Sequence, residues 1–511
     1  MNNGDYYPVN DAAFENMLKS SVPFEPPEEI VKAVTPWKKA IKRVIWGLAL
    51  STLTLNICYL NYILPVVGMI LSLLGLRVLR RENKWFRTYY VVTIIATAYK
   101  WFIFSYLTTV TYQDVFPEML FTVLTLIILF AQLMLFCLSL NATAKKAEIK
   151  PPVSPMIGLI VWYIIVVLLG LMNYKGFVIP IAMIIGFIFI IRSLYKISSQ
   201  IDEIGYSIEN ATIKLKDSVL SLMLVSALIS SLTCGYAFFS DYKMQWQVKD
   251  KNEHLHLQQI KENLIELGFP ESILEDMTAD DILACEGATK VVVDTEQLPF
   301  NDDTRIIQVT EQITPYFSST YDKIIHDVEE MTVTGVGVCL TQEPDGDGDW
   351  MLIHHFCWDV NPGFYGTECI QLFPAYRNQN TRSYSYVSEP TGRVLYTKDG
   401  VDYVSPYHSL GSEQYTSENI IFGKQTNNDI FATFSLPGDS ERQRGYVMYA
   451  IADNSEHSSI IDSWITYNHQ LSFLQYPAET AKENRKGDLF SNSIAFRNQQ
   501  WALQIADREI M

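Results

Sequence analysis

The first 240 residues contain a series of apolar stretches separated by short basic segments. Roughly 20 apolar residues in a helix cross the ~30 Å hydrocarbon core of a bilayer. We therefore predict a membrane all-α bundle of about seven transmembrane helices over residues 37–240. The more polar remainder predicts a C-terminal α+β soluble domain that is mainly antiparallel β and sandwich-like.

The two halves of the chain also differ in charge. The first 240 residues contain 20 Lys and Arg against 14 Asp and Glu, whereas the rest contain 19 against 42. A basic apolar half followed by an acidic polar half is typical of a membrane part joined to a solvated part. Because an acidic surface repels phosphate backbones, we expect no nucleic-acid partner.

The first apolar block, Val44–Leu79, is too long for one crossing. As a single helix it would extend about 54 Å, well beyond the ~30 Å core. We predict a helical hairpin that turns at Asn61 and Tyr62 and has Pro65 in the first turn of its second helix, where proline is tolerated. Basic residues flank the block on both sides, which predicts that both flanks are cytoplasmic.

The distribution of Lys and Arg predicts the orientation of the chain. Residues 1–36 are polar and contain several prolines, and they predict a disordered cytoplasmic tail. The predicted cytoplasmic flanks contain 16 Lys and Arg, and the predicted outer loops contain only Lys175. Seven crossings from a cytoplasmic N-terminus place residues 241–511 outside. We therefore expect a multi-pass plasma-membrane protein with an extracytoplasmic C-terminal domain.

The soluble part divides into a helical start and a β-rich remainder. Residues 241–300 predict a helical stalk or hairpin, in which a helix from Tyr242 to Leu267 ends at Gly268. Residues 301–511 contain short runs of β-branched and aromatic residues separated by Gly, Pro, Asn and Asp. That spacing predicts a mainly antiparallel β domain.

Residues 193–216, before the predicted seventh span, carry a heptad-like apolar pattern. Spacings of three and four residues predict one apolar face on a cytoplasmic amphipathic helix. One interpretation is self-association, or pairing with a partner helix, through this face; the other is a helix that lies on the membrane or under the bundle. The residues proposed for self-association are Leu194, Ile197, Ile201, Ile204 and Ile208.

The acidic cluster Asp345, Asp347 and Asp349 is the candidate metal site. Alternating carboxylates suit Ca²⁺, but an EF-hand loop requires Gly at its sixth position and Glu at its twelfth, where this chain has Trp350 and Phe356. The alternative is a β-hairpin turn, for which Asp-Gly is a strong signal. No other cofactor is expected.

Four cysteines lie in the predicted outer domain. Cys357 and Cys369 fall near opposite positions of one predicted β-hairpin, so they are the candidate disulfide partners. The alternative is that all four cysteines are reduced and packed in the core.

Lys100 lies in the middle of the predicted third span. A lysine at that depth costs roughly 2.5–3.5 kcal/mol on insertion scales, and such residues usually face a bundle interior or a wet cavity. Asn56 and Gln132 are polar side chains in neighbouring predicted spans. Lys100 is therefore either an anion or substrate contact in a permeation path, or a structural lysine that reaches carbonyl groups or the interface.

The segments 64–68 (LPVVG), 74–77 (LGLR) and 79–86 (LRRENKWF) resemble uncharacterised multi-span membrane proteins of Gram-positive bacteria. The resemblance covers the first helical hairpin and the basic loop after it. It implies a bacterial plasma-membrane setting and no particular activity.

Motifs for catalysis are absent: there is no Walker A loop, nucleophile elbow, dinucleotide fingerprint or HExxH sequence. We therefore expect no catalytic residues. The favoured hypothesis is a membrane protein that displays a binding, sensing or assembly domain to a cell-envelope glycan or protein partner. One alternative is a transporter or channel component with Lys100 lining the path. A second is an extracytoplasmic hydrolase built from loop residues.

Overall fold

The chain divides into two compact units in a computed structural model. The first unit comprises Met1–Ile103 and Pro117–Ser231, and the second comprises Phe104–Phe116 and Leu232–Met511. Residues 1–35 of the predicted N-terminal tail lie outside the described residues. The structure describes residues 36–52, 59–111, 118–149, 153–172, 178–203, 208, 211–250, 255–299, 304–314, 317–326, 330–340, 350–378, 381–383, 388–419, 423–451, 460–472, 474–487 and 495–506.

Long helices make up the N-terminal half of the described chain. Five of them, α2 and α4 to α7 below, are long and apolar enough to cross a membrane, judged over the described residues. Apolar side chains on α5, α6 and α7 are exposed in the isolated chain, as expected of surfaces that face lipid. The helical half is therefore confirmed, and the number of crossings stays a prediction. The helices are α1 (Pro36–Thr52), α2 (Leu60–Leu79), α3 (Lys84–Tyr106), α4 (Glu118–Lys146), α5 (Val153–Leu171), α6 (Val178–Glu203) and α7 (Asp217–Phe239).

The turn between α1 and α2 comes earlier in the chain than predicted. Tyr59, in the left-handed conformation with φ 60°, directly precedes α2. Asn61 and Tyr62 therefore lie in the first turn of α2 and are not the turn itself. Pro65 lies in the second turn of the helix and is buried. The predicted turn position is wrong because an apolar run does not indicate where within it a helix begins.

Glycines allow α1 and α2 to pack closely in antiparallel orientation. A Cβ atom on Gly68 would lie 2.4 Å from the backbone nitrogen of Ser51, and one on Gly75 would lie 2.5 Å from the carbonyl oxygen of Ala40. Gly68 and Gly75 are two turns apart and so share one helix face. Any larger side chain at these two positions would push the helices apart.

The predicted amphipathic helix at 193–216 does not form as one helix. α6 continues only to Glu203, and residues 211–216 are not helical. A periodic apolar pattern does not by itself require one continuous helix. The prediction of a separate cytoplasmic helix is therefore wrong.

The apolar residues of this segment pack within the first unit. Leu194, Ile201 and Ile208 are buried in its hydrophobic core. Ile204 lies outside the described residues, as does the side chain of Ile197. Three of the five residues proposed for self-association are therefore occupied by contacts inside their own chain.

The second unit contains a β domain with short helices. Its strands are β1 (Gln247–Val248), β2 (Lys290–Pro299), β3 (Thr304–Thr314), β4 (Phe317–His326), β5 (Glu330–Cys339), β6 (Trp350–Trp358), β7 (Glu368–Asn378), β8 (Thr381–Ser383), β9 (Thr391–Lys398), β10 (Val401–Pro406), β11 (Ser409–Asn419), β12 (Gly423–Phe434), β13 (Glu441–Ile451), β14 (Ile460–Gln470) and β15 (Phe496–Ala506). Its helices are α8 (Gln258–Glu266), α9 (Glu271–Asp276), α10 (Ala279–Leu283) and α11 (Ala481–Lys486).

The strands form two antiparallel sheets that pack face to face. The first sheet has the order β1-β10-β9-β13-β6-β5-β2, and the second has the order β11-β12-β7-β14-β15 with β8 paired to β7. β3 and β4 form a separate hairpin. Inward-facing side chains of both sheets share one core, in which the Phe356 and Tyr467 rings lie 5.1 Å apart. The predicted antiparallel, sandwich-like domain is confirmed.

Short helices cover the outer faces of both sheets. α8, α9 and α10 pack on the first sheet, where Leu264 and Ile282 share a core with Val336 and Ile353. α11 packs on the second sheet through Ala481. The domain is therefore a β-sandwich with a helical cover on each side.

The predicted stalk helix that starts at Tyr242 is wrong. Gln247 and Val248 instead form β1, which pairs with the strand β10. An open sheet edge offers backbone hydrogen bonds that compete with helix formation, and local sequence does not reveal that edge. The described helical part begins with a 3-10 turn at Leu255–Leu257 that leads into α8, and Gly268, at φ +97°, follows α8 as predicted.

Candidate functional site

The candidate metal residues Asp345, Asp347 and Asp349 lie outside the described residues. The strands on either side of them, β5 and β6, are antiparallel neighbours in which Cys339 pairs with Trp350. Within the described part of the chain, no group of three or more His, Cys, Asp or Glu side chains is arranged to hold a metal ion. The calcium site and the hairpin turn both stay predictions.

Cys357 and Cys369, the candidate disulfide partners, lie in different sheets. Cys357 is on β6 and Cys369 is on β7, and both are free thiols. The chain between these strands crosses from one sheet to the other and does not form the predicted hairpin. The predicted disulfide is therefore wrong. Burial raises the pKa of Cys357 to about 11 and that of Cys369 to about 12, so both thiols stay protonated at neutral pH.

Lys100 is half-buried on α3. Gln132 on α4 donates a hydrogen bond to Thr93 Oγ1 at 3.3 Å, and Thr93 precedes Lys100 by two helical turns on the same face. Asn56 lies outside the described residues. The structure therefore places Lys100 and Gln132 on neighbouring helices, and the permeation-path hypothesis stays a prediction.

Asp276, the last residue of α9, is the centre of a buried ionic network on the first sheet. Arg444 Nε on β13 donates to both carboxylate oxygens, at 2.9 and 3.0 Å. His355 Nε2 on β6 lies 3.1 Å from Oδ2 of the same carboxylate. Arg393 Nε on β9 donates to the carbonyl oxygen of Asp276 at 2.8 Å. One residue of the helical cover is therefore bonded to three strands.

The partners of Asp276 determine its ionisation. Burial alone would raise the pKa of this carboxyl, but hydrogen bonding and charge from His355 and then Arg444 lower it overall. Arg444 also pairs with Asp402 at 3.2 Å, so its charge is shared between two carboxylates. A carboxylate that is ionised and satisfied on both oxygens suits a structural clamp better than proton transfer at neutral pH.

His354 faces the sandwich interior, on the opposite side of β6 from His355, as alternation along a strand predicts. Its Nε2 atom lies 2.7 Å from Ser463 Oγ, which also contacts the Tyr449 hydroxyl. His354 is 1% exposed and Ser463 is 0% exposed, and burial lowers the pKa of His354 to about 3. This serine–histidine pair is therefore enclosed in the core, out of reach of a substrate in solvent.

One end of the sandwich contacts the ends of two long helices. We call residues 475–478, which follow β14, the junction segment. The backbone N–H of Ala478 donates to the carbonyl oxygen of Leu107 at 2.7 Å. The Tyr476 hydroxyl donates to the carbonyl oxygen of Phe104 at 3.3 Å. The junction segment is thus bonded to the C-terminal end of α3 and the turn that follows it.

The C-terminal end of α7 belongs to the same set of contacts. The Tyr236 hydroxyl donates to the carbonyl oxygen of Gln475. The backbone N–H of Val110 donates to the carbonyl oxygen of Phe239 at 2.9 Å, which joins the ends of α3 and α7 to each other. All these residues belong to the second compact unit.

Buried polar residues continue from the junction segment into the sandwich. The Ala481 N–H donates to Thr367 Oγ1 at 2.8 Å, and Thr367 Oγ1 donates to Gln470 Oε1 at 3.0 Å. The neighbouring residues Glu368 and His469 form a fully buried pair, with Nδ1 2.9 Å from Oε1. Burial raises the pKa of Glu368, and the charge of His469 opposes that rise. Buried hydrogen bonds, in addition to apolar packing, therefore hold together the end of the sandwich that meets the junction segment.

No motif in the sequence marks Asp276, Arg444, Glu368 or His469. The available signal was an ionisable residue within or beside an apolar strand or helix, which requires a buried partner. The partners are distant in sequence: Arg444 follows Asp276 by 168 positions. A single sequence therefore indicates the need for a partner but not its identity.

Sequence comparison assigns this chain to no family. No family model and no curated protein matches it. A solved structure titled "Pore forming protein" is matched over 42% of this chain and 92% of that chain, with 6% sequence identity and a TM-score of 0.17. A TM-score this low carries no argument about fold or function.

Proposed function

We propose that this chain is a multi-pass plasma-membrane protein that displays its β-sandwich outside the cell as a non-catalytic sensing or assembly module. The central observation is the set of contacts at the junction segment. These contacts join the sandwich to the ends of α3 and α7. A conformational change in the sandwich would therefore act directly on two long helices. The helices anchor the module and receive its signal.

The charge distribution supports this orientation. The helix ends near Leu107 and Phe239, which meet the junction segment, are the ends that the positive-inside pattern places outside. In the first unit, Asp217 at the start of α7 pairs with Arg43 at 2.7 Å and with Arg77. Asp217 and Arg77 lie at helix ends that the same pattern places inside, and Arg43 belongs to the basic segment before Val44 that the pattern places on the same side.

The end of the sandwich opposite the junction segment is the proposed ligand-facing surface. β6 runs from Trp350 to Trp358, and Trp358 lies at the junction end, 5.3 Å from the His469 ring. Trp350, at the other end, pairs with Cys339 and Ile451. The candidate calcium residues directly precede Trp350 in the sequence. A cell-envelope glycan or a protein partner is the proposed ligand, with calcium as the candidate cofactor.

A stability measurement tests ligand binding. The full chain in nanodiscs is heated with and without Ca²⁺ and a panel of soluble cell-wall glycan fragments. A ligand at 100 times its dissociation constant adds about 2.7 kcal/mol to the free energy of unfolding, so we expect a raised midpoint for the sandwich. An unchanged midpoint with every ligand, in a sandwich that unfolds cooperatively, would contradict small-ligand sensing.

Hydrogen–deuterium exchange tests the junction. Tyr236→Phe removes the hydrogen bond to Gln475, and one hydrogen bond contributes about 1 kcal/mol, or about fivefold in exchange rate. We expect about fivefold faster exchange at residues 474–478 of the full chain. The matched control is Tyr365→Phe, the same chemical change at an exposed tyrosine of the sandwich. Equal exchange in both variants would argue against a coupled junction.

A further inference from the structure

A cavity of about 730 Å³ lies in the first unit, along the turn between α2 and α3 and the first turns of α3. Its lining contains four cationic side chains, Arg80, Arg81, Lys84 and Arg87. Arg81, Lys84 and Arg87 are exposed, and Arg80 is half-buried. The cavity therefore presents concentrated positive charge that solvent and ligands can reach.

The four cations have no acidic partner among the described residues. Arg80 lies over the Tyr90 ring at 5.6 Å and Lys84 lies over the Trp85 ring at 4.9 Å, and neither contact neutralises charge. Like charges around one cavity repel each other, and a bound anion relieves that repulsion.

Three other cations in the same unit, Arg43, Arg77 and Lys146, pair with carboxylates. Arg77 pairs with Asp217, and Lys146 lies 3.3 Å from the buried Glu82. The unit therefore neutralises neighbouring cations internally but leaves those of the cavity available. The cavity therefore groups four cations without a carboxylate among the described residues, and this grouping suits it to an external anion.

An apolar surface continues directly from the cavity along α3. One face of α3 carries Arg87, Val91, Ile94 and Ile95. Val91 is three or four positions from each of the others, and residues at these spacings lie on the same side of a helix. Val91 also lines the cavity and is 49% exposed, and Ile95 is 59% exposed. A ligand with an anionic head and an apolar tail would match both surfaces at once.

We propose that this cavity binds the phosphate headgroup of an anionic phospholipid, with an acyl chain along the exposed face of α3. Arginine and lysine donate charge-assisted hydrogen bonds to phosphate oxygens. Basic cavities at the cytoplasmic ends of membrane helices are suited to such headgroups. The inference requires the membrane setting of the proposed function but not the sensing role of the sandwich.

Native mass spectrometry of the full chain tests this site. Phosphatidylglycerol is titrated in the presence of excess phosphatidylcholine, and glycerol phosphate and inorganic phosphate are titrated separately. The test variant is Arg81→Gln with Arg87→Gln, two exposed positions whose replacement leaves the helical core intact. The control is Lys39→Gln with Lys145→Gln, which removes the same charge from exposed positions outside the cavity.

The expected result is selective binding of phosphatidylglycerol that weakens about fivefold for each cation removed, or about 25-fold in the test variant. The control variant should stay within twofold of the parent chain. Equal weakening in both variants would show a general charge effect and overturn the proposal. Tight binding of the soluble phosphates would overturn the lipid assignment, as would equal binding of phosphatidylcholine.

Discussion

Replacing Arg444 with methionine should strongly destabilise the helical cover of the first sheet. Both side chains of the Asp276–Arg444 pair are almost fully buried, at 5% and 4% exposure. Removing one partner of such a pair costs about 3–5 kcal/mol, because the remaining charge is buried without compensation. His355 stays within hydrogen-bond distance of Asp276 and offsets part of that cost. We therefore expect a loss near 3 kcal/mol, at the lower end of about 3–5 kcal/mol.

Hydrogen–deuterium exchange of the full chain measures this loss locally. A change of about 3 kcal/mol corresponds to exchange more than 100-fold faster in β6, β13 and α9. The control is Lys424→Met, which removes an exposed cation from β12 and should change exchange little. Adding Asp276→Leu to Arg444→Met should restore much of the protection, since no unpaired carboxylate is left. Unchanged exchange in Arg444→Met would refute the stabilising role of the Asp276–Arg444 pair.

Three further predictions concern the sandwich. Gly337→Val should destabilise it by about 1–3 kcal/mol in denaturant unfolding, because a Cβ there lies 2.3 Å from Ile505 Cδ1, whereas Gly411→Val, with open space around it, should not. Cys357 should react with iodoacetamide far more slowly in the native chain than after unfolding, because partial burial raises its pKa to about 11; equal rates would contradict that raised pKa. Because the folded pKa of Asp276 lies below its unfolded value near ~3.9, its stabilisation is complete above that value and is lost as the pH falls further. Asp276→Asn should therefore flatten the acid side of the stability profile, and an unchanged profile would count against the lowered pKa.

The helical half was largely predictable because long apolar runs are a simple signal in the sequence. A long apolar run is needed for each crossing, so the last helix, predicted at 219–239, begins at Asp217 and ends at Phe239. Breaks within or between apolar runs were harder to locate. The heptad pattern of residues 193–216 was misinterpreted because periodicity alone does not distinguish one helix from two segments that bury the same side chains.

The β domain was predictable as a class but not in its pairing. Alternating apolar residues indicate strands, but they do not indicate which sheet a strand joins, so Cys357 and Cys369 were placed in one hairpin. Gln247 and Val248 likewise pair with the edge strand β10, whose residues are more than 150 positions away in the sequence. The ionic network around Asp276, the buried pair of Glu368 and His469, and the junction segment also depend on contacts between residues distant in sequence.

The location of the sandwich is the central claim, and cysteine labelling in intact cells tests it most directly. Lys424→Cys places a thiol on the exposed surface of β12, and Lys39→Cys places one at the start of α1. The parent chain supplies the background from native cysteines. We predict that a membrane-impermeant maleimide labels Lys424→Cys in intact cells and labels Lys39→Cys only after permeabilisation. The reverse pattern would place the sandwich inside the cell and contradict the proposed function.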